Sequence, residues 1–139
     1  MILVDTGPLV AIFDPRDAHH APCAATLRGM TDRLISTEPV LTEAFHLLEP
    51  GTRGASLLQQ FIRDSGLSLW TMDDKRLLRS LDVMEQYEDN GMDFADASLV
   101  AAAESLRITT IFTLDRKDFA TYRPRIGRTL SRFRILQAG

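Results

Sequence analysis

The sequence predicts an α/β fold in which a mostly parallel sheet is covered by helices on both faces. Short apolar segments alternate along the chain with longer segments of helical periodicity, and this alternation is typical of βαβ units. The chain contains no internal repeat, low-complexity tract or linker. Its 139 residues suit one domain, so we expect a single domain over residues 1–139.

Each predicted element has its own local signal. The predicted strands are short apolar or β-branched segments at residues 2–4, 34–36, 67–70, 109–114 and 133–136. The predicted helices cover residues 9–13, 18–30, 38–48, 55–64, 74–87 and 93–106. Pro8 occupies a tolerated early helical position, Pro50-Gly51 and Ser65-Gly66 end helices, and Asn90-Gly91 precedes the last one.

Composition limits the class of protein. The hydrophobic fraction of 45%, the charged fraction of 25% and the net charge of -3 describe an ordinary globular protein with no global attraction to nucleic acid. Cys23 has no disulfide partner, and with His19 and His20 it lacks zinc-ligand spacing, so we interpret this group as part of a helix surface. The N-terminal segment has no basic region and no segment reaches the length of a membrane span, so we expect a cytoplasmic protein without a membrane partner.

Basic residues are concentrated near the C-terminus, where residues 116–134 contain Asp118 as their only acid. The basic residues of this segment are Arg116, Lys117, Arg123, Arg125, Arg128, Arg132 and Arg134. A local basic surface on an acidic protein indicates phosphate contact, although a solvated segment would have the same composition.

Several acids fall where the predicted fold would bring them together. Asp5 and Asp115 each follow a predicted strand, so both should project from the carboxyl edge of the sheet, where such folds bind ligands. Glu43 lies in an apolar helical segment, and Asp93 and Asp96 share a face in a first helical turn. Taken singly, each acid could instead cap a helix, lie in a first turn or organise a turn.

Taken together, the acids predict a metal site. Converging carboxylates repel one another unless a cation neutralises them, and oxygen-only ligands suit Mg²⁺ or Mn²⁺. Such ions promote phosphodiester hydrolysis, so we expect a phosphate-directed hydrolase.

Two other chemistries fit less well. Glu43 and His46 have the spacing of a di-iron motif but no second such pair, and an aspartate-based phosphatase would need an acid where Gly7 stands.

These motifs resemble those of the PIN-domain family, and particularly its VapC-like toxins, over nearly the whole chain. The family's first strand ends in Asp-Ser/Thr, which is matched by Asp5-Thr6. Its second acid lies in a helix, matched by Glu43, and its third opens an alanine-rich helix, matched by Asp96. A later strand ends in Thr-x-Asp, matched by Thr113-Leu114-Asp115.

The resemblance implies a three-layer α/β/α sandwich and cleavage of RNA with Mg²⁺, or with Mn²⁺ as a substitute. The residues it implies for metal binding and catalysis are Asp5, Glu43, Asp96 and Asp115, with Asp93 and Asp118 as further acids and Thr6 and Thr113 as supporting hydroxyls. It also implies a homodimer that is paired with a cognate antitoxin protein in a type II toxin–antitoxin system. Two alternatives stay open, a catalytically silent protein-binding module and a housekeeping RNA-processing nuclease.

Overall fold

The computed structural model describes residues 1–136, in which strands and helices alternate through most of the chain. The strands are β1 (Ile2–Val4), β2 (Leu34–Thr37), β3 (Leu67–Trp70), β4 (Thr110–Phe112), β5 (Arg125–Ile126), β6 (Thr129–Leu130) and β7 (Arg134–Leu136). The helices are α1 (Thr6–Phe13), α2 (His20–Arg28), α3 (Glu38–Leu48), α4 (Arg53–Arg63), α5 (Asp74–Gln86), α6 (Phe94–Leu106) and α7 (Arg116–Thr121). A short 3₁₀ helix, Glu88–Asn90, joins α5 to α6.

The central sheet consists of parallel strands in the order β3-β2-β1-β4-β7. The first strand lies in the middle, where Leu3 is opposite both Ile35 of β2 and Ile111 of β4. Leu3 and Ile111 are both 0% exposed, as expected for strands that are covered on both faces. Strands β5 and β6 form a separate antiparallel hairpin, which turns at Gly127 with a positive φ of 64°.

Helices cover both faces of the central sheet. α1 packs against α2, α3 and α4, whereas α5 packs against α6. Because crossovers between parallel strands are right-handed, the connections from β1 to β2 and from β2 to β3 run over one face, and those from β3 to β4 and from β4 to β7 run over the other. This arrangement confirms the predicted three-layer α/β/α sandwich. Within residues 1–136, no helix combines the length and hydrophobicity that crossing a bilayer requires.

The structure corrects several predicted elements. The strand predicted at 109–114 ends at Phe112, because the chain leaves the sheet there and enters a turn before α7. Asp115 caps this helix, which was not among the predicted elements. The β5–β6 hairpin was not predicted either, since its strands of two residues each are too short to display an apolar alternation.

The Cys23 group also differs from its predicted place on a helix surface. Cys23 is 0% exposed and lies on the side of α2 that packs against α1. His20 donates a 2.7 Å hydrogen bond from its ring Nδ1 to the carbonyl oxygen of Ala11, whereas His19 is exposed. The group therefore splits between the core and the surface, and Cys23 is a core residue.

Candidate metal centre

The carboxyl ends of β1 and β4 flank a cleft at the middle of the sheet. Strand β2 pairs with one side of β1, and β4 pairs with the other side. The connections that leave these strands therefore run over opposite faces of the sheet, which makes this place a topological switch point. Parallel sheets bind their ligands at such points. The cleft has a volume of about 450 Å³ and is lined by Asp5, Thr6, Gly7, Glu43, Gly91, Asp93, Asp96, Leu114, Asp115 and Asp118. The structure thus brings all six acids singled out in the sequence to one place.

Asp5 is the most buried of these acids, with 8% of its surface exposed. It directly follows β1 and caps α1, where its Oδ1 accepts a 2.8 Å hydrogen bond from the backbone N–H of Thr6. Its Oδ2 accepts a 2.8 Å hydrogen bond from the hydroxyl of Thr113. Burial raises the pKa of Asp5 to about 6 even though both hydrogen bonds act to lower it. The two hydrogen bonds therefore do not fully offset the cost of burying the negative charge of Asp5.

The two threonines that were predicted to support the acids are both buried, but their contacts differ. The Thr113 hydroxyl donates to Asp5 and also accepts a 3.0 Å hydrogen bond from the backbone N–H of Asp115. The Thr6 hydroxyl is buried without a hydrogen-bond partner among the described residues. An orphaned buried hydroxyl is unusual, and an oxygen of a ligand in the cleft would satisfy it.

Asp96 lies in the first turn of α6, and its backbone N–H donates a 2.8 Å hydrogen bond to Oδ1 of the capping residue Asp93. Its own Oδ2 accepts a 2.9 Å hydrogen bond from the hydroxyl of Tyr122. Burial, followed by the charges of Asp5 and Asp93, raises the pKa of Asp96 to about 8. Tyr122 was not predicted as a residue of the site, because nothing in its local pattern connects it with a residue of α6.

Asp115 and Asp118 enter the cleft from the start of α7. Asp115 caps this helix, and its Oδ1 accepts a 3.3 Å hydrogen bond from the backbone N–H of Asp118. Burial, followed by the contact with Asp115, raises the pKa of Asp118. Carboxylate oxygens of Asp96, Asp115 and Asp118 lie within 4.8 Å of one another, which is close enough for one cation to contact all three. Asp118 is therefore as well placed as the acids that the resemblance favours.

Glu43 and Asp93 lie at the exposed part of the cleft. Glu43 projects from α3, and partial burial, followed by the charge of Asp93, raises its pKa. Among the described residues, it lies outside the group of three carboxylates formed by Asp96, Asp115 and Asp118. The apolar neighbours Val40 and Ala44 are buried, whereas Glu43 itself is exposed at the cleft.

This set of donors fits a hard divalent cation. The acids offer only carboxylate oxygens, which Mg²⁺ and Mn²⁺ prefer, and no His or Cys is among the described residues that line the cleft. The pKa values of Asp5 and Asp96 are raised first by burial and then by neighbouring carboxylates, and a bound cation would offset both effects. The unpartnered Thr6 hydroxyl adds one further oxygen beside the acids.

A second, larger groove adjoins the cleft and shares Glu43 and Asp93 with it. Its volume is about 750 Å³, and it runs between α3 and the start of α5. The apolar lining is formed by Pro39, Met72, Leu77, Phe94 and Ala95, and the polar lining by Glu38, Thr42, Glu43, His46, Asp73, Asp74 and Asp93. His46 is exposed and lines this groove.

The C-terminal basic residues belong to several different elements. Arg116 and Lys117 are exposed in the first turn of α7, next to Asp115. Arg125 belongs to the β5–β6 hairpin, where its backbone N–H donates a 2.8 Å hydrogen bond to Glu104 of α6. Arg134 lies in the edge strand β7. The basic side chains that directly follow a cleft acid are thus those of Arg116 and Lys117.

Known structures share this fold. VapC20 of Mycobacterium tuberculosis, described as a sarcin-ricin loop cleaving toxin, is 18% identical at a TM-score of 0.76, over 84% of this chain and 91% of that one. A toxin–antitoxin complex from Klebsiella pneumoniae is 21% identical at a TM-score of 0.61, over 87% and 92%. FitAcB from Neisseria gonorrhoeae is 15% identical at a TM-score of 0.62, over 96% and 97%. At these identities the likeness establishes the fold alone.

Sequence comparison establishes the family. A curated relative, Ribonuclease VapC26 of Mycobacterium tuberculosis (strain ATCC 25618 / H37Rv), is 28% identical over an alignment of 127 residues that covers 88% of this chain and 93% of the relative. The sequence model of the PIN domain matches residues 2–123, a segment that begins with β1 and includes all six acids of the cleft. The chain belongs to the PIN-domain family.

Proposed function

We propose that the chain is an endoribonuclease that hydrolyses RNA phosphodiester bonds with Mg²⁺, or with Mn²⁺ as a substitute. The observation that carries this proposal is the single cleft at the switch point, where carboxylates from four separate parts of the chain converge. Membership of the PIN-domain family and the name of the curated relative, a ribonuclease, support RNA as the substrate.

In this proposal Asp5, Glu43, Asp96 and Asp115 are the catalytic acids that would hold the ion, with Asp118 as a further carboxylate close to those of Asp96 and Asp115. When bound, the ion stabilises charge that builds on the phosphodiester oxygens and increases the acidity of the attacking water. Asp93 holds the first turn of α6 in place by capping it. Thr113 orients Asp5, and the Thr6 hydroxyl is free to donate to an oxygen in the cleft.

We further propose that this nuclease is the toxin of a type II toxin–antitoxin pair, that it acts in the cytoplasm, that it forms a homodimer and that residues 1–139 are one PIN domain. Two of the similar structures are named as a toxin and as a toxin–antitoxin complex, which supports an antitoxin partner. Induced expression should slow growth of the host, and co-expression of a small antitoxin from the neighbouring gene should restore it. Light scattering on the purified chain tests the dimer.

The groove between α3 and α5 is the surface that we assign to the antitoxin. Its apolar lining and acidic rim complement a basic amphipathic segment and repel the phosphates of RNA. Leu77→Arg should therefore weaken binding of the purified antitoxin at least tenfold. The matched control is Leu57→Arg on α4, where Leu57 is 41% exposed, comparable to 36% for Leu77. If both variants weakened antitoxin binding equally, or if neither weakened it, the groove would not be the antitoxin interface.

The nuclease proposal is tested with purified chain, a set of structured RNAs and sequencing of the cleaved ends. Cleavage should require Mg²⁺ or Mn²⁺, stop with EDTA and be lost in Asp5→Asn and Asp96→Asn. Asp32→Asn is the control, because Asp32 is an exposed acid outside the cleft. A cleft that binds Mn²⁺ without cutting any RNA would favour the catalytically silent module. Active enzyme that does not slow growth when expressed would favour the housekeeping nuclease.

A further inference from the structure

Tyr122 contacts the cleft from inside the core. Its side chain is 0% exposed, and its hydroxyl lies 2.9 Å from Oδ2 of Asp96. A phenol hydroxyl carries a proton to donate and a carboxylate oxygen accepts, so Tyr122 is the donor of this hydrogen bond. The protein therefore holds one oxygen of a carboxylate that lines the cleft.

The tyrosine ring is itself held firmly. Tyr87 and Phe119 both make edge-to-face contacts with it, each with ring centroids 5.1 Å apart. Its backbone N–H donates a 3.1 Å hydrogen bond to the carbonyl oxygen of Asp118. A ring fixed on these sides leaves its hydroxyl little freedom, so the position of that hydroxyl defines where the Asp96 carboxylate lies.

The same short helix carries both the acids and the tyrosine. Asp115 is the residue before α7, Asp118 lies in its first turn and Tyr122 is the residue after its last turn. Tyr122 thus connects the end of α7 to Asp96 on α6, while the start of α7 presents Asp115 and Asp118 to the same carboxylate. The hydrogen bond therefore fixes the distance between acids that belong to different helices.

We infer that Tyr122 is a positioning residue of the metal centre, which holds the Asp96 carboxylate in the orientation that lets it share a divalent cation with Asp115 and Asp118. This inference rests on the proposed function, because it takes the cleft to be a metal site. Partners that hold metal-binding groups in place commonly change metal affinity by about 10- to 100-fold when they are removed. A core aromatic residue without this role would need its ring but not its hydroxyl.

The test compares Tyr122→Phe with the wild-type chain by Mn²⁺ titration, in which electron paramagnetic resonance reports the free ion. The variant keeps the ring and its aromatic contacts and removes the hydroxyl alone. Its Mn²⁺ dissociation constant should rise by about tenfold or more. RNA cleavage by the variant should recover toward the wild-type rate at saturating Mn²⁺, since the substitution weakens the site without removing an acid.

Tyr87→Phe is the matched control. Tyr87 belongs to the same aromatic cluster, but its hydroxyl accepts a hydrogen bond from the backbone N–H of Arg123 and does not contact an acid of the cleft. Its removal should leave Mn²⁺ affinity within about twofold of wild type, whatever it does to thermal stability. Equal loss of Mn²⁺ affinity in both variants would assign the effect to packing of the cluster and overturn the inference.

A double substitution provides a second, independent measurement. In the Asp96→Asn background, Tyr122→Phe should not weaken the remaining Mn²⁺ affinity further, because the two residues act through one contact. Additive losses would overturn the positioning role. If the wild-type chain itself binds no Mn²⁺, the proposed function fails. If wild type binds and Tyr122→Phe binds equally well, the inference alone fails.

Discussion

The hydroxyl of Thr113 donates a 2.8 Å hydrogen bond to Oδ2 of Asp5, a residue 108 positions earlier in the chain. The same hydroxyl accepts a hydrogen bond from the backbone N–H of Asp115. A single buried side chain thus connects the carboxyl ends of β1 and β4, the strands that flank the switch point. The cleft acids are held by buried hydroxyl groups as well as by the backbone.

Thr113→Val should weaken both the cleft and the fold. Valine keeps the shape of threonine but leaves Oδ2 of Asp5 and the N–H of Asp115 without their partner, at a cost of about 1 to 3 kcal/mol in the free energy of unfolding. The Mg²⁺ concentration that gives half-maximal cleavage should rise about tenfold. Urea denaturation and an Mg²⁺ titration of activity provide the two measurements. Thr110→Val, at the far end of β4, is the control and should leave the Mg²⁺ requirement unchanged.

Asp96→Asn should abolish cleavage and yet stabilise the metal-free protein. Asp96 is the acid whose charge is most strongly opposed by burial and by its neighbours, so a neutral amide removes repulsion from the folded state. The melting temperature in EDTA near pH 8 should rise by a few degrees, whereas added Mg²⁺ should stabilise wild type more than the variant. A variant that melts below wild type in EDTA would contradict this explanation by charge repulsion.

The metal-free protein should lose stability as pH rises. The pKa of Asp5 is raised to about 6 and that of Asp96 to about 8 in the folded state, so at these two residues the folded chain holds more protons than the unfolded chain between about pH 4 and pH 8. Their protonation therefore stabilises the fold below about pH 4, and this contribution is lost as pH rises through about 6 and 8. Urea midpoints in EDTA should fall across this range, and Asp96→Asn should flatten the upper part of the decline.

Arg116 and Lys117 should contribute to RNA binding without taking part in chemistry. Both are exposed directly after Asp115, so a phosphate at the cleft lies within reach of their side chains. The double substitution to alanine should raise KM with little change in kcat. It should also lower the slope of log affinity against log salt concentration by about 0.7 for each phosphate that is no longer neutralised.

The control is the double alanine substitution of Arg28 and Arg63, exposed on α2 and α4, which changes the net charge equally. Equal effects of the two double substitutions would indicate that RNA is attracted by the net charge of the protein and not by Arg116 and Lys117 in particular.

Much of the fold could be predicted from the sequence because its signals are local. The helix predicted at 38–48 and the strand predicted at 67–70 have the bounds that the structure gives them. Asp5 and Asp115 were placed at one edge of the sheet because parallel strands share their carboxyl ends, and both line the cleft. Their roles as metal ligands stay predictions that the variants above will test.

The rest depends on contacts between distant parts of the chain. The bond between Tyr122 and Asp96 exists because α7 docks beside α6, and no periodicity of the sequence encodes that docking. The exposure of Glu43 depends on the rotation of α3, which places Ala44 in the core and leaves its neighbour outside. The short helix α7 has six residues, fewer than two turns, so its apolar pattern could not be separated from that of a turn.

The central position of β1 has a consequence for synthesis of the protein. Strand β1, which ends at Val4, is followed early in the chain by its partner β2, whereas its other neighbour, β4, is made only after some hundred further residues have left the ribosome. A nascent or truncated chain that stops before residue 110 has Asp5, Glu43 and Asp96 but not the other wall of the cleft. Such a chain lacks Asp115 and Asp118, so the proposed cutting activity can arise only after α7 has been made.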